Sequence, residues 1–140
     1  MTEHICFLLS RASQSDETDL VFIDPVGTGY SRPEKPEDGK KFWGVSEDTQ
    51  SVADFIRLYV TRNSRWTSPK FIIGESYGTT RAAGLSGYLV EHGIAFNGIL
   101  LISSILNFQT TDSAPGNDLP FVLFLPTYAS AAWYHKKLAP

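Results

Sequence analysis

The sequence of this 140-residue chain predicts an α/β fold whose core is a parallel sheet with helices on both faces. Three short apolar runs lack polar alternation, which is typical of strands that are buried on both faces. They are DLVFID (Asp19–Asp24), KFIIG (Lys70–Gly74) and NGILLISS (Asn97–Ser104). Segments of helical periodicity separate these runs, and such an alternation of strands and helices favours a parallel sheet.

Two helices are predicted between the strands. The first spans about residues 46–62 and has Ser46 as its N-cap, a position that favours serine. The second begins near Thr79 and ends at Gly93, because glycine is favoured just after a helix C-terminus. Their apolar faces are predicted to consist of Val52, Phe55, Ile56 and Tyr59 in the first helix and of Leu85, Tyr88 and Leu89 in the second.

Composition divides the chain into three parts. Residues 1–18 are mixed and polar, and we predict a flexible lead-in there. Residues 19–106 hold the predicted strands and helices of the core. Residues 107–140 form a separate region, with a loop followed by one or two helices that break near Pro126.

Charge and residue usage exclude several classes of function. The net charge is −3, with 15 acidic and 12 basic residues, so we expect no nucleic-acid partner. No apolar run reaches the roughly 20 residues of a membrane span. Cys6 is the single cysteine, and no cluster of side chains has metal-ligand spacing, so we expect neither a metal nor a cofactor.

The segment GESYG (Gly74–Gly78) places one serine between two glycines, directly after a predicted strand and before a predicted helix. Gly-x-Ser-x-Gly in this context is the nucleophile-elbow pattern, in which side chains at the glycine positions would collide with the adjacent strand and helix. The pattern predicts Ser76 as a nucleophile and the backbone N–H of Tyr77 as an oxyanion donor. The alternative, a serine that merely occupies a turn, stays open.

Several separated phrases add a family resemblance. Three segments of the chain resemble, in order and spacing, segments of the serine carboxypeptidase family, peptidase family S10. They are DLVFIDPVGTGYSR, WGVSEDTQSVADFIRLYV and FIIGESYGTTRAAGLSGYL. The resemblance covers roughly Asp19 to Leu138 and is closest to the prokaryotic branch. It implies a partial α/β-hydrolase fold that includes the start of a helical cap, and peptide or protein C-termini as the substrate.

The resemblance also implies roles for individual residues. Ser76 is similar to the acylating nucleophile and Tyr77 to the donor of one oxyanion N–H. Glu75 is similar to the acidic residue that binds the substrate's free carboxylate, a pairing that shares a proton and favours acid conditions. Gly27 and Gly29 lie in a loop that looks like the one beside the family's active-site cleft; alternatively, both serve only a tight turn.

Other parts of the family's machinery have no counterpart in the sequence. The acid and the histidine of an α/β-hydrolase triad follow the serine, but His135 falls in the predicted cap helix and His92 at the end of the helix after the elbow. No segment before Asp19 matches the family's glycine-rich motif, which supplies the second N–H of the oxyanion hole. We therefore expect a central fragment, with little or no activity alone, that needs other chain segments to complete its fold.

Two alternatives to a serine carboxypeptidase remain open. One keeps the fold and changes the reaction to that of an esterase or acyltransferase, since the elbow serves many reactions. The other is a non-catalytic remnant in which GESYG survives for packing. Family members are commonly secreted or found in acidic compartments, but the sequence itself leaves localisation open.

Overall fold

A computed structural model of the chain describes the backbone of residues 5–10 and 18–138 and the side chains of residues 19–138. The chain divides into two compact units, Met1–Ile105 and Leu106–Pro140. The predicted flexible lead-in falls in part on residues 1–4 and 11–17, which lie outside the described residues. The assignment of residues 107–140 to a cap stays a prediction.

The first unit contains a sheet and two long helices. Its elements, in chain order, are β1 (Ile5–Ser10), β2 (Thr18–Ile23), a 3-10 helix (Pro36–Lys41), α1 (Val45–Arg62), β3 (Lys70–Glu75), α2 (Tyr77–Glu91) and β4 (Gly98–Ile102). The three predicted strands and the two predicted helices are thus all present, and the α/β class is confirmed.

The sheet has the strand order β2-β1-β3-β4. Strand β1 is antiparallel to both β2 and β3, whereas β3 and β4 are parallel. The three strands that the sequence predicted therefore run in one direction, as expected for a parallel core. The antiparallel strand β1, which the sequence did not predict, makes the sheet as a whole mixed. The insertion of β1 between β2 and β3 gives hydrogen-bond partners to edges that would otherwise lie open.

Both long helices lie on one face of the sheet, which corrects the prediction of helices on both faces. Val21 of β2 and Ile72 of β3 share that face, since both pair with residue 7 of β1 in register, and both belong to the core cluster with α1 and α2. The chain moves in the same direction across the sheet from β2 to β3 and from β3 to β4. Because such crossovers are right-handed, two successive ones in the same direction place their helices on the same face.

The core of this unit is a single apolar cluster between the sheet and the helices. Its members are Val21, Ile23, Val52, Ala53, Ile56, Val60, Ile72, Ala82, Leu85, Leu89 and Ile94. Leu20 and Phe22 of β2, which point to the opposite face, are exposed. This alternation leaves the apolar side chains of β2 on that face exposed to solvent.

The helix ends follow the sequence only in part. Helix α1 has Gly44 as its N-cap, without a side-chain hydrogen bond, and the predicted cap Ser46 lies in the first turn instead. Helix α2 ends at Glu91 with His92 as its C-cap, one residue before the predicted Gly93. Gly93 follows with a φ of 82°, the left-handed conformation that glycine adopts without a steric cost. The N–H of Ile94 then donates to the carbonyl of Leu89 at 2.8 Å, which closes the end of the helix.

The second unit contains a short 3-10 helix (Phe108–Thr110) and α3 (Leu119–Tyr134). Helix α3 is continuous and includes Pro126, so the predicted break is wrong. Proline removes one N–H donor from a helix but does not always end it. None of the helices in the described part of the chain is both long and apolar enough to cross a membrane.

Candidate active site

Ser76 lies at a sharp turn between the last residue of β3 and the first residue of α2. Its backbone has φ 54° and ψ −123°, a conformation that is uncommon for any residue other than glycine. Such strain persists only where the surroundings impose it, and it is concentrated at functional sites. The half-buried serine therefore occupies the strained turn that the Gly-x-Ser-x-Gly pattern predicts.

Gly74 is required by the close approach of strand and helix at this turn. A Cβ at this position would lie 2.1 Å from the carbonyl oxygen of Gly78 and 2.9 Å from the backbone nitrogen of Thr79. Both contacts are with backbone atoms, which cannot rotate away as a side chain can. The collision inferred from the sequence is thus present at Gly74.

Hydrogen bonds hold the turn against the end of β4 and the segment that follows it. The N–H of Ser76 donates to the carbonyl of Ile102 at 3.0 Å, and the N–H of Thr79 donates to the carbonyl of Ser76 at 2.9 Å. The hydroxyl of Thr79 donates to the same Ser76 carbonyl at 2.7 Å and accepts from the N–H of Ile105 at 2.9 Å. The hydroxyl of Thr80 donates to the carbonyl of Ile105. These bonds fix the backbone on both sides of the serine.

The loop that follows β2 is tightly wound around its two glycines. Gly27 has φ 98° and Gly29 has φ 45°. A Cβ on Gly29 would enter the carboxylate of Asp24, whose Oδ2 accepts the N–H of Tyr30 at 3.0 Å. A Cβ on Gly27 would lie 2.9 Å from Nε1 of Trp43. Both glycines therefore serve the turn, which agrees with the simpler of the two interpretations and leaves a role in substrate binding untested.

This loop and the elbow meet around a pocket of about 200 Å³. Its lining residues are Pro25, Val26, Thr28, Phe42, Trp43, Asp48, Tyr77 and Arg81. Glu75 and Ser76 are not among the lining residues, but Tyr77 directly follows the serine. The structure therefore brings the predicted loop and one predicted site residue together within one unit.

A buried ion pair forms one wall of this pocket. Nε of Arg81, on α2, donates to Oδ2 of Asp48 on α1, and the two side chains are only 4% and 10% exposed. The guanidinium carbon of Arg81 also lies 5.1 Å from the centroid of the Tyr77 ring, within the range of a cation–π contact. The pair connects α1 to the first turns of α2, where the elbow ends.

Glu75 is the last residue of β3 and is exposed at the C-terminal end of the strand. It pairs in register with Ile102 of the neighbouring parallel strand. An accessible carboxyl group beside the elbow can receive a hydrogen bond from a ligand, or share a proton with a ligand carboxylate.

His92 is remote from the elbow. It follows α2, and since that helix has 15 residues, its two ends lie about 20 Å apart. Nδ1 of His92 lies 2.7 Å from the carbonyl of Tyr88, and the two rings stack with their centroids 4.0 Å apart. His92 therefore closes the helix, as the sequence analysis inferred.

Three residues of this region carry no functional motif in the sequence: Asp48, Arg81 and Thr79, the last of which was predicted only as the start of a helix. The available signal was Arg81, a charged residue among small and apolar ones in α2, four residues after Tyr77. A charge at such a position indicates a buried partner, because unpaired charges are rarely buried.

Among residues 5–10 and 18–138, no group of three or more histidine, cysteine, aspartate or glutamate side chains could hold a metal ion.

Comparison with known proteins gives one match. The family model described as serine carboxypeptidase matches residues 10–115, which is most of the chain and includes the strand, turn and helix around Ser76. The comparisons with curated proteins and with solved structures gave no match.

Proposed function

This chain belongs to the serine carboxypeptidase family, and on that premise we propose that it carries the nucleophile for hydrolysis of C-terminal peptide bonds. Ser76 attacks the carbonyl carbon of the bond, Tyr77 donates one N–H to the oxyanion, and Glu75 binds the free carboxylate of the substrate. The loop with Gly27 and Gly29 borders the site. The substrates are the C-termini of peptides or proteins.

The observation that carries the proposal is the backbone conformation of Ser76, with φ 54° and ψ −123° between β3 and α2. Ser64 and Ser103 also have a positive φ, so Ser76 is distinguished by the combination of this strain with its place in the Gly-x-Ser-x-Gly turn between a strand and a helix. At that turn a nucleophile gains an unobstructed approach to the substrate. The N-terminus of α2 begins at the next residue, so its dipole favours the negative charge that develops on the carbonyl oxygen.

The proposed reaction proceeds in two steps. In the first, the Ser76 oxygen forms a bond to the carbonyl carbon, the C–N bond breaks, and the C-terminal amino acid leaves with a proton on its nitrogen. In the second, water attacks the resulting ester, which releases the shortened peptide and restores the serine.

Both steps require a general base for the serine or water proton. In the described part of the first unit the one histidine is His92, at the far end of α2 from Ser76. The proposal therefore assigns the base to a group outside that part of the chain, and we expect the 140-residue chain by itself to turn over peptides very slowly.

The role of Glu75 gives the proposal its substrate class. Two carboxyl groups bind each other only when they share a proton, since two negative charges repel. Recognition of the substrate carboxylate by Glu75 therefore favours acid conditions and selects chain ends, because an internal peptide bond presents no such group. An esterase acting on uncharged esters has no need of this residue.

The nucleophile is tested by labelling the folded protein with an alkyl fluorophosphonate and locating the adduct by mass spectrometry. Because no base for Ser76 lies in the described part of the first unit, we expect slow labelling at Ser76 during prolonged incubation with excess reagent, and no labelling at this position in Ser76→Ala. Ser64 provides a matched control, since it is an exposed serine with the same φ of 54°, and Ser64→Ala should label like the unmodified protein. Failure of the folded protein to label at Ser76 would favour a non-catalytic remnant and overturn the proposal.

The substrate class is tested with a blocked dipeptide, its C-terminal amide and a simple ester of the same acyl group. Glu75→Gln should lower kcat/KM for the free acid by about 10- to 100-fold, the range for a lost hydrogen bond to a charged group, and leave the ester nearly unchanged. Equal losses for the acid and the ester would argue against carboxylate recognition and for a different acyl-transfer reaction.

A further inference from the structure

The buried ion pair between Asp48 and Arg81 is not needed to hold α1 and α2 together. Helices α1 and α2 already share the apolar core cluster. Removing two charges from water is costly, and apolar residues of similar volume often stabilise a fold equally well. The presence of this pair in a pocket wall beside the elbow points to a role other than holding the two helices together.

The position of Arg81 on α2 provides that role. Residues four apart on a helix lie on the same face one turn apart, so Arg81 is directly below Tyr77, the first residue of the helix. Its guanidinium group contacts the Tyr77 ring at 5.1 Å while Nε bonds to Asp48. The ring of Tyr77 is thereby held by a group that is itself fixed from a second helix.

Fixing this ring also restricts the backbone to which it is attached. The N–H groups in the first turn of a helix point out of its N-terminal end, and the N–H of Tyr77 is the proposed oxyanion donor. A donor to a developing oxyanion is effective only when it is in place before the reaction. Rotation of Tyr77 would move this N–H and the adjoining Ser76.

We propose that Asp48 and Arg81 are positioning residues, which hold Tyr77 and thereby align its backbone N–H for the reaction at Ser76. This inference rests on the proposed function for its catalytic consequence, but the alignment itself is a property of the fold. Arg81 acts through the Tyr77 ring, and Asp48 acts through Arg81.

The test combines NMR of the folded protein with kinetics. Arg81→Met should shift the amide resonance of Tyr77 and accelerate hydrogen exchange of the Thr79 amide, which bonds to the Ser76 carbonyl, by about tenfold relative to core amides. Where hydrolysis is measurable, kcat should fall by about tenfold with KM nearly unchanged, since an oxyanion donor acts in the transition state. Arg81→Lys should restore the charge but not the planar contact with the ring, and should give intermediate values.

A more exposed ion pair of this unit provides a control. Arg65 pairs with Asp19 away from the pocket, with side chains 19% and 33% exposed. Arg65→Met should leave the Tyr77 amide shift, the Thr79 exchange rate and kcat unchanged. If Arg65→Met and Arg81→Met changed the Tyr77 shift, the Thr79 exchange rate and kcat equally, the buried pair would have only a structural role and the proposal would be overturned.

One further variant, used together with Arg81→Lys, keeps the proposal falsifiable if Arg81→Met fails to fold. Tyr77→Leu retains an apolar side chain but removes the ring, so it should accelerate Thr79 exchange while the ion pair remains intact. A protected Thr79 amide in both Tyr77→Leu and Arg81→Lys would contradict the proposal. Loss of Ser76 labelling in the unmodified protein would defeat the proposed function alone, since the amide measurements do not depend on it.

Discussion

Gly74 and Gly78 are in backbone contact across Ser76: a Cβ on Gly74 would lie 2.1 Å from the carbonyl oxygen of Gly78. The end of β3 and the start of α2 therefore approach more closely than any side chain at position 74 permits. This contact leaves the chain a single residue in which to reverse its path, and that residue takes the strained conformation with φ 54°.

Gly74→Ala should destabilise the fold by about 2–3 kcal/mol, since the added methyl group meets backbone rather than a movable side chain. Gly87 offers a matched control in α2, because a Cβ there meets nothing within 4 Å. Gly87→Ala should stabilise by about 0.5–1 kcal/mol, the difference in helix propensity. Urea denaturation measures the free energy of unfolding of both variants. If Gly74→Ala lowered this free energy no more than Gly87→Ala changes it, the contact between Gly74 and Gly78 would be contradicted.

Ser76→Gly should make the protein more stable than Ser76→Ala by about 1–3 kcal/mol, because glycine adopts a positive φ without strain and alanine does not. Both variants lack the hydroxyl, so their difference isolates the backbone. At Ser86, inside α2, the order should reverse, with glycine less stable than alanine by about 1 kcal/mol. Thermal denaturation of the four variants distinguishes the sites; the same order at both positions would show that Ser76 is not strained.

Lys70 is a buried cation at the start of β3. Lys70 is 6% exposed, and its Nζ donates to the carbonyls of Trp66 at 2.6 Å and Ser68 at 2.9 Å. Burial lowers the pKa of Lys70 below its ordinary value of 10.5, because desolvation disfavours the charged form.

Stability should therefore depend on pH in the alkaline range. Between the lowered pKa of folded Lys70 and 10.5, the unfolded chain binds more protons than the folded one, so the free energy of unfolding rises with pH. Lys70→Met removes this contribution. Measured by urea denaturation from neutral pH to about the unfolded lysine pKa, the advantage of the unmodified protein over Lys70→Met should grow, and parallel curves would refute the effect.

The elbow could be predicted from the sequence because its determinants are local. Two glycines, the serine between them and the apolar run before them fall within a few residues, and steric contacts at that range follow from residue type alone. The strands β2, β3 and β4 and the helices α1 and α2 were predictable for the same reason, since periodicity is a property of each segment.

Strand β1 could not be predicted in this way. Its segment (Ile5–Ser10) carries a short apolar run in a polar context, and only pairing with β2 and β3 makes it a strand. The placement of both helices on one face is also not local. It follows from the strand order, which brings β2 and β3 to either side of β1.

By itself, the sequence determined that a serine occupies a strained turn between a strand and a helix, because glycines lie two residues before it and two residues after it. Only the tertiary structure decided what surrounds that turn. Asp48 and Arg81 are 33 residues apart in the chain, and their contact beside Tyr77 exists because α1 and α2 pack on the same face of the sheet. Contacts between distant segments depend on the whole arrangement of the chain, and no local pattern specifies them.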